Sequence, residues 1–169
     1  MNNRSNGLNY NTEGNMSHSI TKIWIHGIFS TKNREALIIE ELEAELYSHI
    51  RNNLINQFHC YVKSINGIPD HVHILFLLNH NFSIQEIFHS IKGESSHWIN
   101  QNNFIKTKFA WQIGYGAFSI GESRIDEVEK YIKNQKGHHR KLSFKDEYDL
   151  FIKKYKIELS NNTNGFVNR

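Results

Sequence analysis

Strand-like and helix-like periodicities alternate along this chain, and they predict an α+β domain with a four-stranded antiparallel sheet. Two observations carry the prediction. The elements run strand, helix, strand, strand, helix, strand, helix, and the first six form the β-α-β-β-α-β split motif of ferredoxin-like (RRM-like) domains. The middle two strands are separated only by turn residues, so they pair as a hairpin. This order predicts two helices on one sheet face, plus a further helix after the last strand.

Each element has its own signal. Thr21–Phe29 is β-branched and aromatic, as strands are. Over Glu40–Leu54, Leu42, Leu46, Ile50 and Leu54 recur every four residues on one helix face. His59–Ile65 reads as the second strand. Asn66-Gly67 with Pro69-Asp70 supplies turn chemistry. His71–Leu78 is apolar on both faces beyond its first residues, which predicts a central strand. Ser83–Trp98 is a helix capped by Ser83. Gly116–Ile120 is a short fourth strand. Ser123–Gln135 is a helix in which Ser123 and Asp126 resemble a capping box and Gly137 suits the stop. A last amphipathic helix is expected over Ser143–Leu159.

The 169 residues fit one domain, which should bury roughly 70% of its unfolded surface. Residues 1–15 are Asn-rich and patternless and read as a disordered leader. Residues 16–159 read as the domain and 160–169 as a polar tail. No apolar stretch has the length of a membrane span or the form of a signal core. The lone Cys60 cannot form an internal disulfide, and a reducing cytoplasm is the expected compartment. Net charge is +3, unevenly spread. Residues 34–45 hold one Arg and five Glu, whereas 130–158 hold nine Lys or Arg against four Asp or Glu. That is either two solvated helix faces of opposite bias or a C-terminal half that meets an anion.

Two pairs of residues could carry chemistry. His71 and His73 flank Val72, so the strand period puts both imidazoles on one face, where they suit a divalent metal. Eleven histidines in 169 residues give roughly 0.7 such pairs by chance, so taken alone the pair is a weak signal and the alternative is two surface or pocket histidines beside a turn. Tyr131 and Gln135 are four residues apart on a helix whose buried stripe is Ile125, Val128 and Ile132. They fall on one shoulder of that stripe and could meet the sheet. Taken alone, they read better as a packing tyrosine and a solvated amide.

Five segments in this order, FSTKNRE (29–35), GIPDHVHILF (67–76), IKGESSHWI (91–99), WQIGYGAFS (111–119) and YIKNQKGHHRK (131–141), resemble the HUH single-tyrosine transposases of insertion sequences. These enzymes move single-stranded DNA. The resemblance runs from about Met16 to about Leu159. It implies that His71, His73 and Gln135 hold one divalent metal, Mg²⁺ or Mn²⁺. It also implies that Tyr131 is the nucleophile, leaving a 5′-phosphotyrosine link and a free 3′-hydroxyl. The implied partners are single-stranded DNA with hairpins at element ends and a second copy of the chain. In that homodimer, Tyr131 often reaches the partner's histidines.

Lys32, Arg34, Lys92, Lys133, Arg140 and Lys141 are candidates for phosphate contact. Asp70 either orients a ligand histidine or is a turn residue, and His26, which shares a strand with Trp24 and could approach the metal site, reads as structural. Tyr115, between two glycines, is the rival nucleophile but has no amide four residues on. His138 and His139 suit backbone contact or solvation better than chelation, and Trp98 and Trp111 suit the core. Two other functions fit the same features: a non-catalytic single-strand binder, and a domesticated nuclease processing host repeats.

Overall fold

The computed structural model of the protein describes residues 20–138 and residue 153. The expected leader, the tail and, apart from residue 153, the 143–159 helix lie outside them, as do His139, Arg140 and Lys141. Strand β1 is Trp24–Ser30, helix α1 Glu40–Asn56, β2 Tyr61–Ile68 and β3 His71–Leu77. Helix α2 is Ile84–Gln101, β4 Gly116–Ile120, α3 Ile125–Lys133 and α4 the single turn Gln135–His138. The sheet order is β2-β3-β1-β4 with every neighbour antiparallel, so β3 is central as its composition predicts. Among the described residues, no helix is long and apolar enough to cross a membrane.

Strand alternation divides the core in two. Ile25, Phe29, Val72, Ile74 and Phe76 face one way and pack on Leu42, Leu46, Ile50 and Leu54 of α1 and Ile87, Phe88, Ile91 and Ile99 of α2. Residues of opposite parity, Trp24, Leu75 and Ile120, face the other way and meet Ile125, Val128 and Ile132 of α3. The split motif's two helices thus share one face, as expected, and α3 covers the other. Where β1 crosses α2 the backbone comes close: a Cβ at Gly27 would overlap the Phe88 ring. Gly27→Ala should therefore overpack this contact and cost about 1–3 kcal/mol, read as a lower urea midpoint with an unchanged slope.

Several boundaries differ from expectation for local reasons. The strand β2 runs through Asn66 and Gly67, and the turn is Pro69-Asp70 alone. Gly67 is needed because a Cβ there would overlap the His71 carbonyl. Ser83 caps α2 as predicted: its hydroxyl accepts from Glu86 N at 3.2 Å, and Glu86 Oε2 accepts from Ser83 N at 2.8 Å. The Ser123 capping box does not form, because Glu122–Arg124 is a 3₁₀ turn and α3 begins only at Ile125.

Candidate active site

The sheet face under α3 collects the buried histidines. His26, His71 and His73 are all fully buried. The strand period brings His71 and His73 to one side, ring centroids 4.9 Å apart. Register puts His26 opposite Leu75 and Ile28 opposite His73, so His26 is a diagonal neighbour of His73 on the same face. Their rings stack at 5.2 Å with an interplanar angle of 25°. His26 Nε2 and His73 Nδ1 share a hydrogen bond of 3.0 Å. His71 Nδ1 donates to Asp70 Oδ1 at 2.6 Å. Asp70 is therefore more than a turn residue, and His26 belongs to the cluster.

Tyr131 stands half-buried in the last turn of α3. Its ring lies edge-on to His73 at 5.7 Å and to His26 at 6.3 Å. The arrangement lies within one chain. Gln135 is fully buried, but not on the same helix as Tyr131. The helix ends at Lys133, Asn134 leaves helical geometry at φ −97° and ψ 16°, and Gln135 opens the next turn. The unbroken i, i+4 placement is thus corrected to a helix, a break and a turn.

Asn66 explains why the break falls there. Its Nδ2 donates to the carbonyls of Ile132 and Lys133 at 2.9 and 3.0 Å, taking acceptors that a helix end would otherwise leave open. Asn66 pairs with His73 across β2 and β3, so one residue ties the end of α3 to the histidine strand. Lys63 adds an ion pair to Glu129 at 3.1 Å, and Lys133 adds another at 2.7 Å. Hydrogen bonds from Lys133 and Lys63 hold the Glu129 carboxyl below its usual range. Lys136, next to Gln135, pairs with Glu43 of α1 at 2.8 Å.

This donor set fits a divalent metal. Each ligand-candidate imidazole has its Nδ1 in a hydrogen bond, His71 with Asp70 and His73 with His26, so Nε2 is the nitrogen each ring would turn toward a metal. Among the described residues, no three His, Cys, Asp or Glu side chains group as a metal centre. A metal on His71 and His73 would take its third protein donor from another residue type, and the buried carboxamide of Gln135 is of that kind.

The other candidates separate. Tyr115 stacks on Phe88 at 4.1 Å and packs with the α1–α2 core, across the sheet from the histidines. Lys32 and Arg34 form an exposed 3₁₀ turn after β1, with Asn33 and Arg34 left-handed at φ 55° and 58°. That turn is braced by Thr31 N to Asp70 O and Lys32 N to Ala110 O, both 2.8 Å, so it stands beside the Asp70–His71 pair. Lys92 is half-buried, and its ammonium donates to the carbonyls of Gln112 and Gly114. Burial lowers it to about 8. It clamps the loop before β4, one wall of a cavity of about 570 Å³. Lys133 is exposed and paired with Glu129. Trp111 is buried and donates to Ser95 Oγ at 2.9 Å, and Trp98 stacks on His49 at 4.6 Å.

The place of Asn66 in the site has no counterpart in the sequence reading, and His26, read there as structural, sits within the histidine cluster. The split-motif strand order places β1 beside β3, and that order with strand parity could have brought His26 to His73. No sequence signal separates Asn66 from a turn asparagine, because its partners are backbone carbonyls of a distant helix.

Solved structures share the fold. A protein of Deinococcus radiodurans R1 assigned to the transposases aligns with a TM-score of 0.56 at 22% identity, covering 70% of this chain and 94% of that one. A REP-associated tyrosine transposase bound to a REP hairpin aligns with a TM-score of 0.54 at 15% identity, covering 70% of this chain and 68% of that one. No curated protein matches. The family model described as "Transposase IS200 like" matches residues 19–135, which span every strand of the sheet, the buried histidines, Tyr131 and Gln135, and the chain belongs to that family.

Proposed function

We propose that this transposase cleaves and rejoins single-stranded, hairpin-bearing DNA through a 5′-phosphotyrosine on Tyr131. The observation that carries the reading is the Tyr131 ring packed against His73, on the sheet face where His71 and His73 are buried together. In the forward step, the Tyr131 oxygen bonds to phosphorus and the bond from phosphorus to the 3′ oxygen breaks. The phenol loses its proton, and the departing oxygen becomes a 3′-hydroxyl. The reverse attack by a 3′-hydroxyl rejoins the strand and frees the tyrosine. Because each step exchanges one phosphate ester for another, no nucleotide cofactor is consumed.

His71, His73 and Gln135 would hold Mg²⁺ or Mn²⁺. When bound, that ion supplies charge stabilisation at the phosphate, which helps a phenol, a poor nucleophile while protonated, to attack. Asp70 orients His71. Asn66 and the Lys63–Glu129 pair keep Tyr131 against the histidines, so positioning is largely built in before substrate arrives. A homodimer is part of the proposal, but Tyr131 need not cross to the partner, because it already lies beside the histidines of its own chain.

Hairpin DNA as substrate is supported by the family and by the fold neighbour bound to a REP hairpin. Lys32, Arg34 and Lys133 are exposed for backbone contact, and Arg140 and Lys141 are proposed as further contacts. The test compares one flanking sequence as a folded single strand and as a duplex. Cleavage should occur on the single strand and be slow on the duplex, whose stiff paired backbone cannot bring a phosphate to Tyr131 and the histidines together. Binding should weaken with salt at a log–log slope of about −0.7 per neutralised phosphate. Equal cleavage of both forms would point to a general nuclease.

A further inference from the structure

We infer that His26 is a positioning residue for His73, selecting the tautomer in which His73 can bind a metal. The inference rests on the ligand role proposed above for His73. A neutral imidazole has one N–H and one lone pair. If His73 is to offer the lone pair of Nε2, its proton must sit on Nδ1. That nitrogen faces His26 Nε2 at 3.0 Å. His26 must then accept at Nε2 and carry its own proton on Nδ1. With the opposite sense, His26 would donate to His73 Nδ1, and His73 would hold its proton on the nitrogen meant for the metal.

The surroundings favour a fixed pair. Both rings are fully buried and stacked 25° from parallel, so neither can turn without breaking the stack. The same task is done for His71 by the Asp70 carboxylate. The two orienting groups differ in charge, and position accounts for the difference. His26 also faces the edge of Tyr131, with centroids 6.3 Å apart. A second carboxylate there would set a negative charge beside a phenol that must lose a proton and a phosphodiester that must approach. A neutral imidazole accepts the same hydrogen bond without that repulsion.

The test is calorimetric titration of the DNA-free full chain with Mn²⁺, alongside thermal melting. His26→Phe keeps an aromatic ring, though a larger one, and removes the acceptor. It should weaken Mn²⁺ binding by about 10- to 100-fold while the chain still melts cooperatively near the wild-type temperature. His26→Gln places an amide oxygen where Nε2 stood and should restore most of the affinity. His26→Asn is too short to reach and should resemble the Phe variant, which keeps the test decisive if Phe impairs folding. Wild-type Mn²⁺ affinity in folded His26→Phe or His26→Asn protein would overturn the inference. His71→Ala is measured in parallel: if it too binds Mn²⁺ as wild type does, the metal role of the histidines has failed, and the inference with it.

Discussion

Tyr131→Phe is expected to abolish the denaturant-resistant protein–DNA adduct, with strand cleavage falling on the order of 10³-fold or more. The substitution deletes one oxygen and leaves the ring that packs on His73 and His26. Melting temperature and hairpin binding should therefore stay close to wild type, which separates lost chemistry from lost fold. The rival, Tyr115, stacks on Phe88 and packs with the core across the sheet from the histidines. Tyr115→Phe should accordingly leave adduct formation intact. An adduct of normal yield from the Tyr131→Phe protein would remove Tyr131 from the mechanism.

His71→Ala and His73→Ala carry the next largest expected effects. Each removes an imidazole from a fully buried pair and should reduce cleavage to background, as should excess EDTA. Gln135→Ala should be milder, a loss of about 10- to 100-fold that raised Mn²⁺ partly recovers, because a neutral amide oxygen is the weakest donor of the three. Asp70→Asn should lie between wild type and His71→Ala, since the ring stays but its orienting charge goes. Each assay is read on a labelled single-stranded oligonucleotide from the flanking DNA. Full cleavage in excess EDTA would contradict the metal role.

Much of this architecture was legible in the chain, for specific reasons. The leucines and isoleucine of α1 recur at one helical face, and Leu42, Leu46, Ile50 and Leu54 are all fully buried. Beyond its histidines, the strand from Ile74 to Leu77 is apolar on both faces because helices cover both faces of its sheet. The strand period put His71 and His73 together without any knowledge of their neighbours. What escaped depends on contacts between distant segments. Asn66-Gly67 carries turn chemistry, yet β2 continues through it, because Asn66 spends its amide on α3 and Gly67 lets the His71 carbonyl approach. The break at Asn134 follows from the same contact and is invisible in helical periodicity. Lys92 reads as a candidate for phosphate contact, but its ammonium is turned onto loop carbonyls. His26 reads as one histidine in an apolar strand until β1 is laid against β3.

The most direct measurement is to locate the covalent link. The protein is incubated with a hairpin-bearing single strand and Mn²⁺, the adduct is isolated under denaturing conditions, and nuclease and trypsin treatment is followed by mass spectrometry. Trypsin cuts after Lys130 and Lys133, so the modified residue should appear in the short peptide Tyr131–Lys133 bearing a 5′-linked nucleotide. A nucleotide found on Tyr115 or any other residue, or cleavage that proceeds with no covalent protein–DNA species at all, would contradict the account.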